Sequence, residues 1–203
     1  MNLRRVMYLT LAIICVTGCR SSGAPISYYL IDPINSPALT QEQGLSVEIR
    51  DLHVPQYLER FQIAMRAGSN QLVFSDNHQW AETLQKNLMR TTARNFATLL
   101  NTADIGTPLS RSSSRADYVV EIYVDQFDQS TVGPVVLAGH FQIIGGQPYK
   151  VLATQSFSLS GDQVSQGDYP MMVASMQKLL FEMCNSAAVE IVHAEKGKET
   201  NHK

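Results

Sequence analysis

The sequence predicts an α+β fold: a single domain in which a mixed, largely antiparallel β-sheet is packed by two long α-helices. Three observations carry this. Segments 45–54 and 118–127 alternate apolar and polar residues, the two-residue period of a half-buried strand. Segments 76–101 and 169–192 repeat apolar residues at helical spacing. The order is strands, helix, strands, helix, with no internal repeat and no sign of a second domain.

The first eighteen residues stand apart from that domain. Arg4 and Arg5 supply a basic start, and residues 6–16 form an apolar run broken only by Thr10. A basic start, a short apolar core and small residues make a secretory signal. The run falls short of the roughly 20 apolar residues that span a bilayer. Val16-Thr17-Gly18-Cys19 resembles the lipobox of bacterial lipoproteins, although Val16 stands where leucine is usual. The resemblance implies cleavage before Cys19, an S-diacylglycerol on its thiol and an N-acyl group on the new amino terminus. No other cofactor is expected. An ordinary cleaved signal with an incidental cysteine, or an uncleaved anchor, are the competing readings. Each buried methylene contributes about 0.8 kcal/mol, so two or three chains on one residue hold a protein to a membrane without an amphipathic helix. The expected organisation is a signal peptide at 1–18, a lipidated tether at 19–27, the domain at 28–193 and a flexible, charged tail at 194–203.

The elements follow in order. Residues 28–31 read as a short strand stopped by Asp32-Pro33, and 33–44 as loop. In 45–54, Leu45, Val47, Ile49 and Leu52 face the core, and Pro55 ends the strand. Residues 62–66 and 72–74 form two strands around a turn at Gly68-Ser69-Asn70. The first helix is expected over 76–101, with Asp76 as N-cap, Gln79 as its capping-box partner, and Trp80, Leu84, Leu88, Thr92, Phe96 and Leu99 as the buried stripe. Arg90 and Arg94 read as a solvated pair one turn apart. Residues 102–116 lack a period, and 110–115 is a polar loop.

Tyr118, Val120, Ile122 and Val124 then share one strand face, with Val119, Tyr123 and Phe127 on the other. Strands at 135–144 and 151–160, joined at Gly145-Gly146-Gln147-Pro148, complete an antiparallel meander. The second helix spans 169–192, with Pro170 in its first turn and Met172, Met176, Leu179, Met183, Ala187 and Ile191 as its stripe. Cys184 lies in this pattern and reads as packing rather than chemistry. With Cys15 in the signal and Cys19 acylated, it has no disulfide partner.

The chemistry-bearing residues form no recognisable site. There is no phosphate-binding loop motif. The histidines His53, His78, His140, His193 and His202 are scattered without metal-ligand spacing. No serine lies in a nucleophile-elbow motif. The sequence is therefore read as catalytically unequipped, with no catalytic and no metal residues assigned. A triad assembled only in space would escape this reading. The 16 basic and 18 acidic residues give a net charge of −2, more acidic once Arg4 and Arg5 leave, which argues against nucleic acid as partner.

One stretch carries a family resemblance. Val54-Pro-Gln-Tyr-Leu-Glu-Arg-Phe-Gln-Ile-Ala-Met-Arg66, then Asn70-Gln-Leu and Asn77-His-Gln-Trp-Ala-Glu-Thr-Leu84, resembles the PqiC family of auxiliary lipoproteins in MCE-linked, ABC-type lipid transport. The matching residues are Pro55, Tyr57, Leu58, Arg60, Gln62, Ile63, Arg66, Asn70, Trp80, Ala81, Glu82 and Leu84. Phe61 and Thr83 stand where proline is common in the family. The resemblance implies a lipoprotein on the periplasmic face of the outer membrane that docks or scaffolds an MCE-domain protein (PqiB-like), and through it an inner-membrane multipass protein (PqiA-like). A homo-oligomeric ring around the conduit is one implied arrangement, and a periplasmic lipid-binding shuttle is the alternative function. Arg20 stands where aspartate would signal inner-membrane retention. Tyr57, Leu58, Arg60 and Arg66 are the candidate partner contacts. The competing reading packs Tyr57 and Leu58 into the core and leaves the arginines solvated.

Overall fold

The structure is a computed structural model, and it describes residues 24–41, 44–110, 115–131, 133–147 and 149–201. The expected signal peptide, Cys19 and the first part of the tether lie outside the described residues. Among the described residues, eight strands form one sheet: β1 (Ser27–Tyr29), β2 (Val47–His53), β3 (Gln62–Arg66), β4 (Leu72–Trp80), β5 (Ile105–Gly106), β6 (Tyr118–Ser130), β7 (Pro134–Gly146) and β8 (Tyr149–Gln163). Helices α1 (Leu84–Leu99) and α2 (Tyr169–Asn201) complete the α+β domain.

The long strand β6 organises the sheet. Along one edge it pairs β7 antiparallel, and β7 pairs β8 antiparallel, which is the expected meander. Along the other edge β6 pairs β2 in its first half and β3 at its end, both parallel. Strands β2 and β3 therefore follow one another along the same edge, separated by a single 3-10 turn at Gln56–Leu58. Strand β4 lies antiparallel to β3 and carries β1 parallel on its far side, while β5 flanks β2. The antiparallel ladders hold most of the paired residues, so the sheet is mixed but largely antiparallel.

A β-bulge between Val124 and Gln126 changes the phase of β6. Phe127, expected opposite Val124, instead joins Val120, Ile122 and Val124 in the core cluster. Gly139 pairs Val124 at this bulge, and a Cβ there would stand 2.1 Å from the Tyr123 carbonyl oxygen, so the close approach requires glycine.

Both helices contribute their stripes to one core. The expected residues of α2, from Met172 to Ile191, are all buried, as are Leu84, Leu88, Thr92, Phe96 and Leu99 of α1. Trp80 is buried too, but from a strand. Helix α1 starts at Leu84 after Thr83, and residues 76–80, expected as its first turns, extend β4 and pair with both β1 and β3. Asp76 and Gln79 are thus strand residues and no capping box forms. At the other end α2 continues to Asn201, so residues 194–201, expected as a tail, are helical. Glu195 accepts a hydrogen bond from the Tyr118 hydroxyl, and the Lys198 ammonium lies 4.1 Å from the Tyr118 ring centroid. These contacts hold the extension against β6. The Asp168 carboxylate caps the start of α2 by accepting from the Met171 N–H at 3.1 Å.

Candidate functional site

Tyr57, Leu58 and Arg60 sit on the link between β2 and β3, and Arg66 closes β3. Pro55 leaves β2 in an extended conformation (φ −59°, ψ 145°) and the chain closes one 3-10 turn, with the Leu58 N–H donating to the Pro55 carbonyl at 2.9 Å. That turn drives Leu58 into the core, where it is 3 % exposed. Leu58 therefore has almost no surface to present to a partner, which corrects its place among the candidate contacts.

Tyr57 and Arg66 turn toward a residue that sequence reading did not single out. Asp128 is wholly buried on β6. Its Oδ2 accepts from the Tyr57 hydroxyl at 2.7 Å and from the Arg66 guanidinium at 3.0 Å. Its Oδ1 accepts from Gln126 Nε2 at 2.8 Å. The parallel register of Met65 on Gln129 and Arg66 on Ser130 brings the guanidinium beside this carboxylate. Burial, then the bond to Asp128, holds the Tyr57 hydroxyl well above the ordinary tyrosine range, and the bond to Asp128 raises the Arg66 guanidinium. The phenol therefore stays protonated and the guanidinium charged. The pair compensates a carboxylate that would otherwise be costly to bury. Tyr57 and Arg66 are in the first place parts of the fold.

Arg60 is different. Its side chain is exposed and lies over the Phe74 ring of β4, 4.7 Å from the centroid. Gln56, Glu59, Arg60 and Phe74, with the edge of Tyr57, border a shallow depression of about 490 Å³. Phe61 beside it is half exposed. The surface offers a fixed cation, aromatic area and hydrogen-bonding groups, which suits recognition rather than bond making. Among the described residues, no group of three or more His, Cys, Asp or Glu is placed to hold a metal, and no helix is long and apolar enough to cross a membrane.

The remaining motif residues build the same corner. Trp80 pairs Tyr29 in register, and the Ala81 N–H donates to the Tyr29 carbonyl at 2.9 Å. Glu82 pairs Arg90 at 2.5 Å. His78, expected near a helix start, lies in β4: its Nδ1 is 2.8 Å from the Tyr29 hydroxyl and its ring stacks on Tyr169 of α2 at 3.8 Å.

The model of the family described as ABC-type transport auxiliary lipoprotein component matches residues 28–188. This chain belongs to that family. Among relatives of the auxiliary lipoprotein family, the chain is 25% identical to the intermembrane transport lipoprotein PqiC of Escherichia coli K12 over 185 residues. That alignment covers 90% of this chain and 95% of the relative. The PqiC of Shigella flexneri matches to the same extent. The PqiC resemblance read from residues 54–84 thus extends over nearly the whole domain. The fold is shared with a crystal structure of a Xanthomonas campestris protein, at a TM-score of 0.68 and 14% identity, covering 85% of this chain and 99% of that one.

Proposed function

We propose that this chain is an outer-membrane-anchored lipoprotein, facing the periplasm, that docks an MCE-type conduit of an intermembrane lipid transport system and thereby supports envelope integrity. The observation that carries the reading is the family match across residues 28–188. The PqiC relatives, aligned over most of both chains, support it. The proposed partners are a PqiB-like MCE-domain protein and, through it, a PqiA-like multipass protein of the inner membrane, with copies of this chain arranged around the conduit. Lipid on Cys19 is the proposed anchor, and Arg20 favours the outer membrane. The physical need is plain. A phospholipid monomer loses about 0.8 kcal/mol per methylene exposed to water, so a conduit must be held against its destination membrane. A tethered domain can do that without chemistry of its own. The exposed Arg60–Phe74 face is the proposed contact.

The test is capture of the MCE-domain protein from detergent-solubilised envelopes by the tagged full-length chain. Wild type is expected to capture it and Arg60→Glu to capture much less, with an unchanged thermal midpoint. Failure of wild type to capture it overturns the docking function. Undiminished capture by Arg60→Glu moves the contact elsewhere.

A further inference from the structure

A second concavity, which shares no lining residue with the first, lies between α1 and the turn that follows β5. It is a trough of about 380 Å³, within the size range of small-ligand sites. Along one wall Lys86, Arg90 and Arg94 recur every four residues, so their side chains line one ridge of α1 over about 12 Å. Ala93 and Ala97 form its floor. Arg90 is paired with Glu82, but among the described residues Lys86 and Arg94 form no ion pair, and both are exposed.

The facing wall is a built turn. The Thr107 N–H donates to the Ser110 carbonyl at 2.6 Å, and Thr107 Oγ1 accepts from the Leu109 and Ser110 N–H groups at 3.2 and 3.0 Å. This network holds Leu109 at the trough with 60 % of its surface exposed. An exposed leucine fixed beside an alanine floor, under two uncompensated cations, is amphipathic in the sense of a lipid: a place for negative charge next to a place for hydrocarbon.

We propose that this trough binds the phosphate-bearing head group of an anionic glycerophospholipid, with Lys86 and Arg94 on the phosphate and the first carbons of an acyl chain between Leu109 and Ala93–Ala97. The inference takes its ligand class from the transport function above and adds a lipid contact to the protein that docks the conduit. The short trough accommodates a head group and the beginning of one chain, so a lipid held there stays partly outside the protein, as suits a molecule in passage.

The test is native mass spectrometry of the full-length protein in a neutral maltoside detergent, titrated with dioleoyl-phosphatidylglycerol, dioleoyl-phosphatidylcholine or inorganic phosphate. Phosphatidylglycerol is expected to bind best. The Lys86→Ala/Arg94→Ala variant should bind it about 25-fold more weakly, from about fivefold for each cation at an anionic lipid. Lys178→Ala on α2, which removes a cation paired with Asp162 of β8, should bind as wild type. Thermal midpoints should agree, because all three side chains are exposed. Equal binding by wild type and the double variant overturns the site. Inorganic phosphate displacing the lipid at equal concentration makes it a plain anion site and overturns the lipid assignment. An acidic peptide displacing it more readily than phosphatidylglycerol makes it a protein contact and does the same. Conduit capture is read separately: lipid binding lost in the double variant supports the trough even if wild type captures no MCE protein, and capture by wild type does not rescue it if the double variant binds lipid normally.

Discussion

Asn87 of α1 holds Ile31 by both of its backbone groups: Asn87 Oδ1 accepts from the Ile31 N–H at 2.7 Å, and Nδ2 donates to the Ile31 carbonyl at 3.0 Å. Thr91 donates to the same carbonyl at 2.7 Å, and Asn95 accepts from the Ile34 N–H at 3.1 Å. One buried polar row on α1 thus replaces the sheet pairing that the segment after β1 lacks. Asn87→Ala removes both bonds to Ile31 and leaves its buried N–H without a partner, while Thr91 still serves the carbonyl. The expected loss is about 2–4 kcal/mol, read from urea denaturation midpoints. A loss under about 0.5 kcal/mol would show that water replaces the amide at this place.

The Asp128 cluster sets a second expectation. Taking one partner from a buried ion pair costs about 3–5 kcal/mol. The Arg66 side chain is 29 % exposed, and Tyr57 and Gln126 still serve the carboxylate, so Arg66→Met should lie near the low end. Adding Asp128→Asn removes the stranded charge and should recover part of the loss. A double-mutant cycle measures this coupling. Additive losses would mean that the two residues stabilise the fold independently.

Stability should also fall at alkaline pH for an identifiable reason. Burial first, and then the Asp128 and Glu195 carboxylates, hold the Tyr57 and Tyr118 hydroxyls well above the usual tyrosine value. Both phenols are protonated below about pH 10 in the folded and unfolded chains alike. Above that, the unfolded chain releases protons that the folded chain keeps, so stability is full below pH 10 and is lost as pH rises further. Denaturation followed from pH 8 to 11 should show this decline. Tyr57→Phe and Tyr118→Phe should each reduce the slope by up to one proton toward pH 11, and an unchanged slope would assign the decline to other groups.

The anchor has its own measurement. Cys19→Ser should convert a membrane-bound protein into a periplasmic soluble one. Fractionation of that variant with membranes would end the lipid-anchor reading, and a mass for the mature protein without acyl groups would do the same.

The elements legible in the sequence are those whose period is set by one buried face. The meander β6–β8, the strand at 45–54 and the stripe of α2 are of this kind, since alternation or helical spacing follows directly from facing one core. The misassigned start of α1 shows where this fails. Trp80, Leu84 and Leu88 lie four apart, as in a helix, yet Trp80 reaches the same core from the end of a strand. Pairing of β4 on both edges, with β1 and β3, outweighs the local pattern. The bulge beyond Val124 is likewise invisible in a pattern of two, and it alone decides the face that Phe127 takes. At the candidate site, Tyr57 and Arg66 were legible as a motif, but their purpose was not, because Asp128 lies more than sixty residues away along the chain. The trough was half legible: Arg90 and Arg94 stood out as a pair, while Leu109 gains its meaning from a turn only the fold brings opposite them.

The length of α2 has a mechanical corollary. Thirty-three helical residues measure about 50 Å. One end, at Tyr169, is clamped by ring contacts to Tyr29 and His78, beside the segment that leads back toward the start of the chain. The other is moored to Tyr118 by Glu195. The helix is thus a strut fastened near both ends, so a displacement of the chain at Tyr29 meets a rod moored to β6 rather than a slack coil.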